Sequence, residues 1–440
     1  MRPVKIGVIG LGTLGSGTLQ ILRENGNILE DRLGAPIEIV RAADLDKERL
    51  QASGLDKGVL TTSAEEVVRD PEVEIVVELI GGIEPARSLI LEAFGQGKHV
   101  VTANKALLAT HWSEIVGGAE EKGVTLGFEG SIAGGIPLVR TIKVGLVANR
   151  IRSVTGIING TCNYILTRMH RERRQFDEIL EEAKDKGYAE VDPSMDVEGV
   201  DAAQKLAIIV NLCFNVPVSP DDLPHLGISG ITSMDLEMAE EFGYCVKLLA
   251  SADRVDDRVE AWVHPTLVPF GHPLSAVDGV FNAVYIQDDN LGPSLYYGRG
   301  AGSLPTGSAV VADIVSCGRD ILSGAVGRVP VAGYRLGNHN DPALTLVDDT
   351  VSEFYVRINA HDRPGVLSSI SGILGSHDIS IASVIQRGRE DVKGEGVPLF
   401  ILTHEAAYSS MMTAIEEIDA LDAVLGGSFL MRMISSGDVV

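Results

Sequence analysis

Residues 4–15 read VKIGVIGLGTLG and decide the fold of the N-terminal part of the chain. Residues 4–9 form a short apolar run rich in β-branched side chains, which predicts a strand. Gly10, Gly12 and Gly15 follow in a G-x-G-x-x-G spacing, and a helical apolar pattern continues after them. A strand, a glycine-rich turn and a helix in this order predict the start of a nucleotide-binding α/β domain.

Further apolar runs extend this pattern along the chain. They lie at 37–43, 73–80 and 99–103, with helical patterns between them. Strands that alternate with helices indicate a mainly parallel sheet. We therefore predict an α/β fold with a Rossmann-type nucleotide-binding domain over 1–130, completed by a helix at about 306–322 that packs back on it.

Each glycine of the loop has a predicted task in binding a dinucleotide. Gly10 permits the tight turn, Gly12 lets a pyrophosphate approach the backbone, and Gly15 lets the helix pack closely on the sheet. The free amides and positive dipole end of the helix N-terminus then bind the phosphates. The alternative is a glycine-rich turn without a ligand, and the flanking strand and helix favour the binding role.

Asp44 follows the second apolar run and is the predicted acceptor for the ribose hydroxyls of the dinucleotide. Residue 43 is alanine, whereas an arginine there would favour a 2′-phosphate. This difference favours NAD, but Arg41 and Lys57 can still reach a phosphate, so NAD and NADP both stay open. The alternative for Asp44 is a solvated charge at the end of a strand.

The composition excludes several classes of partner. The chain has 440 residues and a formal net charge of −24, which argues against binding to nucleic acid or to an anionic membrane. The N-terminus lacks the layout of a signal peptide, and no apolar stretch is long enough to span a bilayer. The four cysteines show no metal-binding spacing, and they fit a reducing compartment. We therefore expect a cytoplasmic protein.

Three charged residues are candidates for the chemistry. Lys105 follows the strand at 99–103, so it should emerge at the carboxyl edge of the sheet, where ligands of open α/β sheets bind. Asp201 and Lys205 are spaced i, i+4 within a predicted helix over 196–214, which places them side by side on one helix face. The alternatives are a solvated lysine and a surface ion pair. The apolar neighbours of Asp201 and Lys205 favour a pair that faces a cleft, where the lysine can act as acid or base.

The remaining sequence predicts two more domains. Residues 131–325 combine helices with apolar strands at 261–268 and 280–287, which indicates an α+β domain. A less patterned stretch at 331–350 is the predicted linker. Residues 352–431 then read as βαββαβ, the ferredoxin-like arrangement.

Taken together, these motifs resemble the homoserine dehydrogenase family. The matching segments are GLGTLG at 10–15, TANKALLA at 102–109, FEGSIAGGIP at 128–137, NGTCNYIL at 159–166, GYAEVDPSMDVEGVDAAQKL at 187–206 and GRGAGSLPTGSAVVAD at 298–313. They occur in the family's order across residues 1–325. The resemblance implies reversible NAD(P)-dependent reduction of aspartate semialdehyde to homoserine in threonine, methionine and isoleucine synthesis. It also implies that residues 131–325 bind substrate and dimerise.

The resemblance assigns roles to individual residues. It implies that Lys205 donates a proton to the carbonyl oxygen, that Lys105 assists it and contacts the cofactor, and that Glu190 and Asp201 bind polar groups of the substrate. It implies that cofactor contacts in addition to Gly10, Gly12, Gly15 and Asp44 come from Leu11, Thr13, Leu14, Gly187 and Gly302. It further implies a monovalent cation such as sodium, with Glu129 and the carbonyl groups of Ile132, Gly134 and Ile136 as ligands.

Residues 352–431 resemble an ACT domain, a module that binds amino acids and pairs between subunits. The segments DRPGVL at 362–367 and DISI at 378–381 carry this resemblance. It implies an effector site at Gly365, Asp378 and Ile379, with threonine as the expected feedback inhibitor, and a homodimer or homotetramer. The alternative is a domain that only dimerises.

Two competing functions stay open at this point. One is a different semialdehyde or amino-acid dehydrogenase on the same scaffold, and many such enzymes use histidine where this chain offers Lys105 and Lys205. The other is a non-catalytic amino-acid sensor, which the presence of both lysines argues against.

Overall fold

A computed structural model describes residues 2–335, 345–346, 349–387 and 396–434. These residues form two compact units. The first unit comprises the chain up to residue 154 with 201–223 and 281–345, and the second comprises 155–200, 224–280 and the chain from 346 onward. No helix of the described residues is long and apolar enough to cross a membrane.

The first unit contains a six-stranded sheet in the order β3-β2-β1-β4-β5-β6. Its strands are β1 (Val4–Ile9), β2 (Ile37–Ala43), β3 (Leu60–Thr61), β4 (Ile75–Glu78), β5 (His99–Thr102) and β6 (Leu126–Gly127). All neighbouring pairs are parallel. This order reverses direction at β1, as in doubly wound dinucleotide-binding folds. The predicted Rossmann-type fold is therefore confirmed.

The other elements of the first unit are mostly helical. Its helices are α1 (Thr13–Glu24), α2 (Gly26–Leu33), α3 (Lys47–Ala52), α4 (Ala64–Arg69), α5 (Ala86–Gly95), α6 (Lys105–Lys122), α7 (Leu138–Arg140), α11 (Val200–Phe214) and α13 (Ser303–Ser323). An antiparallel hairpin of β10 (Phe281–Asp288) and β11 (Pro293–Arg299) completes it. The chain changes unit within β7 (Ile151–Ile157) and at the start of α11.

Strand β1 is apolar because it lies inside the sheet, with strands on both sides. Val4, Ile6 and Val8 are fully buried, because helices cover both faces of a parallel sheet. The same apolar cluster contains Val310 and Ile314 of α13, so this late helix packs on the sheet that begins the chain. Residues of β1 and of α13 thus share one hydrophobic core, although they lie about 300 residues apart in the chain.

The second unit combines helices with long antiparallel strands. Its helices are α8 (Gly160–Glu172), α9 (Phe176–Asp185), α10 (Ser194–Val197), α12 (Ser233–Glu241), α14 (Val366–Ser376) and α15 (Tyr408–Asp419). Its strands are β8 (Tyr244–Val255), β9 (Arg258–Pro269), β13 (Val351–Ala360), β14 (Ile381–Gln386), β15 (Val397–Thr403), β16 (Ala406–Ala407) and β17 (Phe429–Met433). A two-residue strand, β12 (Thr345–Leu346), lies where the chain enters this unit.

The C-terminal strands form the order β17-β13-β15-β14, with every pair antiparallel. This is the ferredoxin-like order, so the predicted βαββαβ arrangement is confirmed. The last strand begins at Phe429 instead of residue 423, because Gly426 and Gly427 interrupt the extended run, the first of them at φ 74°. Strand β17 also pairs in parallel with β9.

The middle of the chain differs from the sequence prediction in two places. The helix predicted over 196–214 is broken, because Gly199 adopts φ 83° between α10 and α11. Strand β8 has no counterpart in the sequence analysis, since polar residues interrupt its apolar pattern. The predicted linker at 331–350 lies largely outside the described residues.

Candidate active site

A cavity of about 880 Å³ opens at the carboxyl ends of the strands β1, β2, β4 and β5 in the first unit. Such an edge is where open α/β sheets bind ligands. The lining includes six of the predicted site residues, namely Gly10, Gly12, Thr13, Leu14, Asp44 and Lys105. Leu11 and Gly15 belong to the same loop but do not line the cavity.

The glycine loop has the geometry that a phosphate requires. Gly10 adopts φ 96°, and a Cβ there would lie 2.8 Å from the carbonyl oxygen of Leu79. Gly12 is the N-cap of α1, and neither a side-chain cap nor an acidic residue occupies the first turn of that helix. The N-terminal amides of α1 are thus available to an anion, so the residues present fit a dinucleotide phosphate.

Asp44 is held in a fixed position beside this loop. Its carboxylate accepts hydrogen bonds from the backbone N–H of Leu11 at 2.7 Å and of Asp46 at 2.8 Å. The guanidinium of Arg49 lies 4.0 Å from the same carboxylate and 3.3 Å from that of Asp46. A carboxylate and a guanidinium therefore lie side by side at the wall of the cavity.

Arg41, a candidate for the phosphate in the sequence analysis, points elsewhere. Its guanidinium donates to Asp70 at 2.7 Å and to the carbonyl oxygen of Gly58 at 3.0 Å. Neither Arg41 nor Lys57 is among the residues that line the cavity. The Arg41 guanidinium is therefore engaged within the domain, and its contact with a phosphate stays a prediction.

The predicted catalytic residues come together around one carboxylate. The Nζ atom of Lys205 lies 2.7 Å from Oδ2 of Asp201, and the Nζ atom of Lys105 lies 3.3 Å from Oδ1 of the same side chain. The Asp201 and Lys205 side chains are only 8% and 12% exposed, whereas that of Lys105 is 40% exposed. Asp201 thus bridges two ammonium groups.

The position of Lys105 follows from local structure. Lys105 is the first residue of α6, and the side chain of Asn104 caps that helix by accepting from the N–H of Leu107 at 3.1 Å. The side-chain amide of Asn104 also donates to the carbonyl oxygen of Gly82 at 2.6 Å. The helix start is therefore tied to the loop after β4, which forms another wall of the cavity.

Gly302, predicted to contact the cofactor, is the N-cap of α13 at φ 116°. The next residue, Ser303, donates from its hydroxyl to the carbonyl oxygen of Thr13 at 2.7 Å. Gly302 therefore lies next to the glycine loop, although it does not line the cavity.

Glu190 and Gly187 belong to the second unit, on the loop after α9. Both are exposed. The hydroxyl of Thr161, from the NGT segment, donates to the carbonyl oxygen of Tyr188 at 2.8 Å, and the Tyr188 ring packs against Tyr164. This loop is therefore fastened to α8, and the roles of Glu190 and Gly187 stay predictions.

The predicted cation loop lies in the first unit around Glu129. The buried carboxylate of Glu129 accepts from the backbone N–H of Val139 at 2.7 Å and of Arg140 at 2.9 Å. Burial and the negative charge of Asp313 raise the pKa of Glu129 to about 7, and burial raises that of Asp313 to about 6. Burial thus makes the ionisation of both acids costly, and the guanidinium of Arg140 lies 3.8 Å from the carboxylate of Asp313.

The backbone ligands predicted beside Glu129 are partly engaged. The carbonyl oxygen of Ile136 accepts from Leu138 at 2.7 Å, and that of Ile132 accepts from Gly134. Each carbonyl retains a second lone pair. In the part of the chain that the structure describes, no group of three or more His, Cys, Asp or Glu is arranged to hold a metal ion.

The predicted effector residues lie at opposite ends of α14 in the second unit, with Gly365 at its start and Asp378 and Ile379 after its C-terminal end, so the structure does not bring them together. Gly365 is the N-cap of this helix at φ 96°, and no side chain caps it. Asp378 is exposed and adopts φ 59°, whereas Ile379 is 3% exposed and packs into the core of the domain. Ile379 can therefore meet an effector only through its backbone.

Several residues that line the cavity carry no motif in the sequence that would mark them as site residues. They include Arg49 and the segment from Ile80 to Gly82. Arg49 lies in a short charged helix, and such a helix normally indicates a solvated face. The one feature of the sequence that places Arg49 near the site is its position five residues after Asp44.

Comparison with known proteins gives a consistent result over the whole chain. Residues 10–129 match the family model described as homoserine dehydrogenase, NAD binding domain, residues 137–315 match homoserine dehydrogenase, and residues 354–420 match the ACT domain. The homoserine dehydrogenase of Pseudomonas aeruginosa is 42% identical over 428 residues, which cover 97% of this chain and 98% of that protein.

Solved structures agree with these matches. The crystal structure of a homoserine dehydrogenase from Thiobacillus denitrificans has a TM-score of 0.91 and 44% identity, with 98% of each chain covered. A hyperthermophilic archaeal homoserine dehydrogenase mutant in complex with NADPH has a TM-score of 0.62 and 27% identity, covering 72% of this chain and 98% of that one.

Proposed function

The chain belongs to the homoserine dehydrogenase family, and from that premise we propose how its residues carry out the family's reaction. The protein is an NAD(P)-dependent oxidoreductase that interconverts L-aspartate 4-semialdehyde and L-homoserine, with an ACT domain at its C-terminus. The observation that supports our assignment of roles is the contact of Lys105 and Lys205 with the single carboxylate of Asp201.

A dinucleotide held by the glycine loop and Asp44 would supply a hydride to the carbonyl carbon of the semialdehyde. Negative charge then develops on the carbonyl oxygen, and a nearby ammonium group both stabilises that charge and supplies the proton. We assign this proton to Nζ of Lys205, because that side chain is only 12% exposed and its orientation is fixed by Asp201 at 2.7 Å. In the reverse direction the neutral amine of Lys205 accepts the proton of the homoserine hydroxyl.

Lys105 and the carboxylates have supporting roles in this proposal. Lys105 adds a second positive charge at the developing oxyanion from the N-terminus of α6 and contacts the cofactor. Asp201 keeps the two ammonium groups in place, and Asp201 and Glu190 attract the ammonium group of the substrate. The assay that tests these roles follows nicotinamide oxidation with aspartate semialdehyde for the wild type and variants at these positions; full activity in all variants would contradict them.

The choice between NADH and NADPH depends on Asp44 and Arg49 in this proposal. Arg49 is a guanidinium among the cavity-lining residues, and its side chain is 56% exposed, so it can turn toward a 2′-phosphate. Asp44, with both oxygens held by backbone amides, suits the free hydroxyls of NADH. We propose that the site accepts both cofactors.

Replacing Arg49 by alanine should separate the two cofactors. We expect Arg49→Ala to raise KM for NADPH by roughly tenfold, because a charge-assisted contact to phosphate is lost, and to change KM for NADH by less than about twofold. Arg69→Ala is the matched control, since Arg69 pairs with Glu92 at 2.6 Å and does not line the cavity. An equal rise in both KM values would contradict this role for Arg49.

Threonine is the proposed effector, bound at the uncapped start of α14. Its carboxylate would meet the backbone amides that follow Gly365, where an added Cβ meets no atom within 4 Å but φ 96° disfavours any other residue. We expect Gly365→Ala to raise the threonine concentration for half-maximal inhibition by about tenfold at unchanged uninhibited rate. Gly372→Ala in the same helix is the control. Equal inhibition of both variants, or no inhibition of the wild type, would contradict the assignment.

The other proposals concern organisation. We propose a nucleotide-binding domain over 1–130 with the helix at 306–322, a catalytic and dimerisation domain over 131–325, a linker at 331–350 and the regulatory domain at 352–431. We also propose a homodimer or homotetramer, supported by the ACT domain and tested by light scattering of the native chain, and a cytoplasmic location, which four cysteines that form no disulfide bond support.

A sodium ion at Glu129 is the last element of the proposal. It is supported by the resemblance of residues 128–137 to the cation loop of the family and by the carbonyl oxygens of Ile132 and Ile136, each of which retains a second lone pair. Thermal unfolding in sodium chloride and in choline chloride at equal ionic strength tests it. A higher Tm in sodium supports the site, and identical curves contradict it.

A further inference from the structure

Glu78 is a fully buried carboxylate at the end of the central strand β4. Burial raises the pKa of this group, which reflects the cost of placing a charge in the core of a parallel sheet. None of the roles described above uses it. A buried acid of this kind is retained only where its hydrogen bonds offset the loss of water.

The two oxygens of Glu78 hold two different loops. Oε1 accepts from the backbone N–H of Ile80 at 2.9 Å and of Gly81 at 3.3 Å, in the loop that follows β4. Oε2 accepts from the hydroxyl of Thr102 at 2.6 Å, at the end of β5. Glu78 and Thr102 are directly paired in the parallel register, so their side chains project from the same side of the sheet.

The hydrogen bonds continue from Thr102 to the start of α6. The Thr102 hydroxyl oxygen accepts from the backbone N–H of Asn104 at 3.0 Å, and Asn104 donates in turn to the carbonyl oxygen of Gly82 at 2.6 Å. A closed circuit of hydrogen bonds therefore runs from Glu78 through Thr102 and Asn104 to the loop after β4. Lys105 is the residue that follows this circuit directly.

We propose that Glu78 is a positioning residue, whose carboxylate fixes the N-terminus of α6 and thereby holds Lys105 against Asp201. The proposal rests on the role given to Lys105 above. Glu78 itself does not line the cavity, so it acts through the groups that it holds and does not touch the reacting atoms. Small displacements of a reacting or stabilising group are costly: a misplacement of about 1 Å can lower a rate by roughly 10²-fold.

A double-mutant cycle between Glu78 and Lys105 tests this proposal. We expect Glu78→Ala to lower kcat/KM for aspartate semialdehyde by about 10²-fold in the wild-type background. In a Lys105→Ala background we expect the same change to cost less than about threefold, because the group that Glu78 positions is already absent. Equal costs in both backgrounds would overturn the proposal.

Two further variants keep the test valid if Glu78→Ala does not fold. Glu78→Gln retains an acceptor for Ile80 and Gly81 but replaces the acceptor of the Thr102 hydroxyl by an amide donor, so we expect activity between that of the wild type and that of Glu78→Ala. Thr102→Val opens the circuit without leaving a cavity and should reproduce the loss and its dependence on Lys105. Full activity of Thr102→Val, or of Glu78→Ala, would contradict a role in positioning.

The two levels of proposal fail in different ways. If Lys105→Ala alone leaves turnover unchanged, the role assigned to Lys105 is wrong, and the positioning role of Glu78 falls with it. If Lys105→Ala is slow but the Glu78 variants act additively with it, Lys105 keeps its role and only the inference about Glu78 is overturned.

Discussion

Lys205→Ala should reduce kcat for aspartate semialdehyde by about 10³-fold, within the range that a positioned proton donor contributes. The physical reason is that no other group of the cluster replaces it. Lys105 lies on the far oxygen of Asp201, 3.3 Å from it, and its side chain is much more exposed. The measurement is the steady-state rate of nicotinamide oxidation at saturating substrate.

Two variants separate proton donation from charge. Lys205→Arg keeps a positive charge at this position, but a guanidinium does not give up its proton at neutral pH. We therefore expect Lys205→Arg to stay slow, with at most a tenfold recovery relative to Lys205→Ala. Lys122→Ala removes an exposed lysine paired with Glu121 and should match the wild type. A fast Lys205→Arg enzyme would show that charge alone suffices.

Asp201→Ala should have a large effect on both activity and stability. The Asp201 carboxylate is 8% exposed and is the shared partner of two ammonium groups, so its removal leaves Lys205 in a dry position. We expect kcat/KM to fall by about 10²-fold, since the lysines lose their orientation. Breaking a buried ion pair also lowers the free energy of unfolding by about 3 kcal/mol.

Urea unfolding measures the second effect. Glu178→Ala provides a matched control, because Glu178 and Arg174 form an ion pair with the same four-residue separation but with side chains that are 58% and 34% exposed. We expect this control to lose less than about 1 kcal/mol. Equal losses in the two variants would mean that the pair of Asp201 and Lys205 behaves as an ordinary surface pair.

Features determined by short local patterns could be predicted from the sequence. The loop at Gly10, Gly12 and Gly15 is one example, since a strand, a turn and a helix within a few residues define it. The neighbourhood of Asp201 and Lys205 is another, because the helical period alone places residues four apart on one face. Both results depend only on neighbours along the chain.

Features that depend on register between distant strands could not be predicted. In the sequence, Glu78 is a charged residue at the end of an apolar run. Its hydrogen bond with Thr102 depends on the pairing of β4 with β5, which brings the two residues opposite each other. Strand β8 was missed because the buried Lys247 interrupts its pattern. Lys247 is accommodated by the carbonyl oxygen of Val277 at 2.6 Å and by Asp278 at 3.2 Å, which the local sequence does not reveal.

The most direct test of the central claim is chemical rescue of Lys205→Ala by small primary amines. The claim is that the ammonium group of Lys205 donates the proton to the carbonyl oxygen. An amine that fits the space left by the side chain should restore a saturable part of the lost rate, with no effect on the wild type. Among amines of similar size, the rescue should vary with amine pKa, as for a general acid. No rescue by any amine, or rescue independent of amine pKa, would contradict Lys205 as the proton donor.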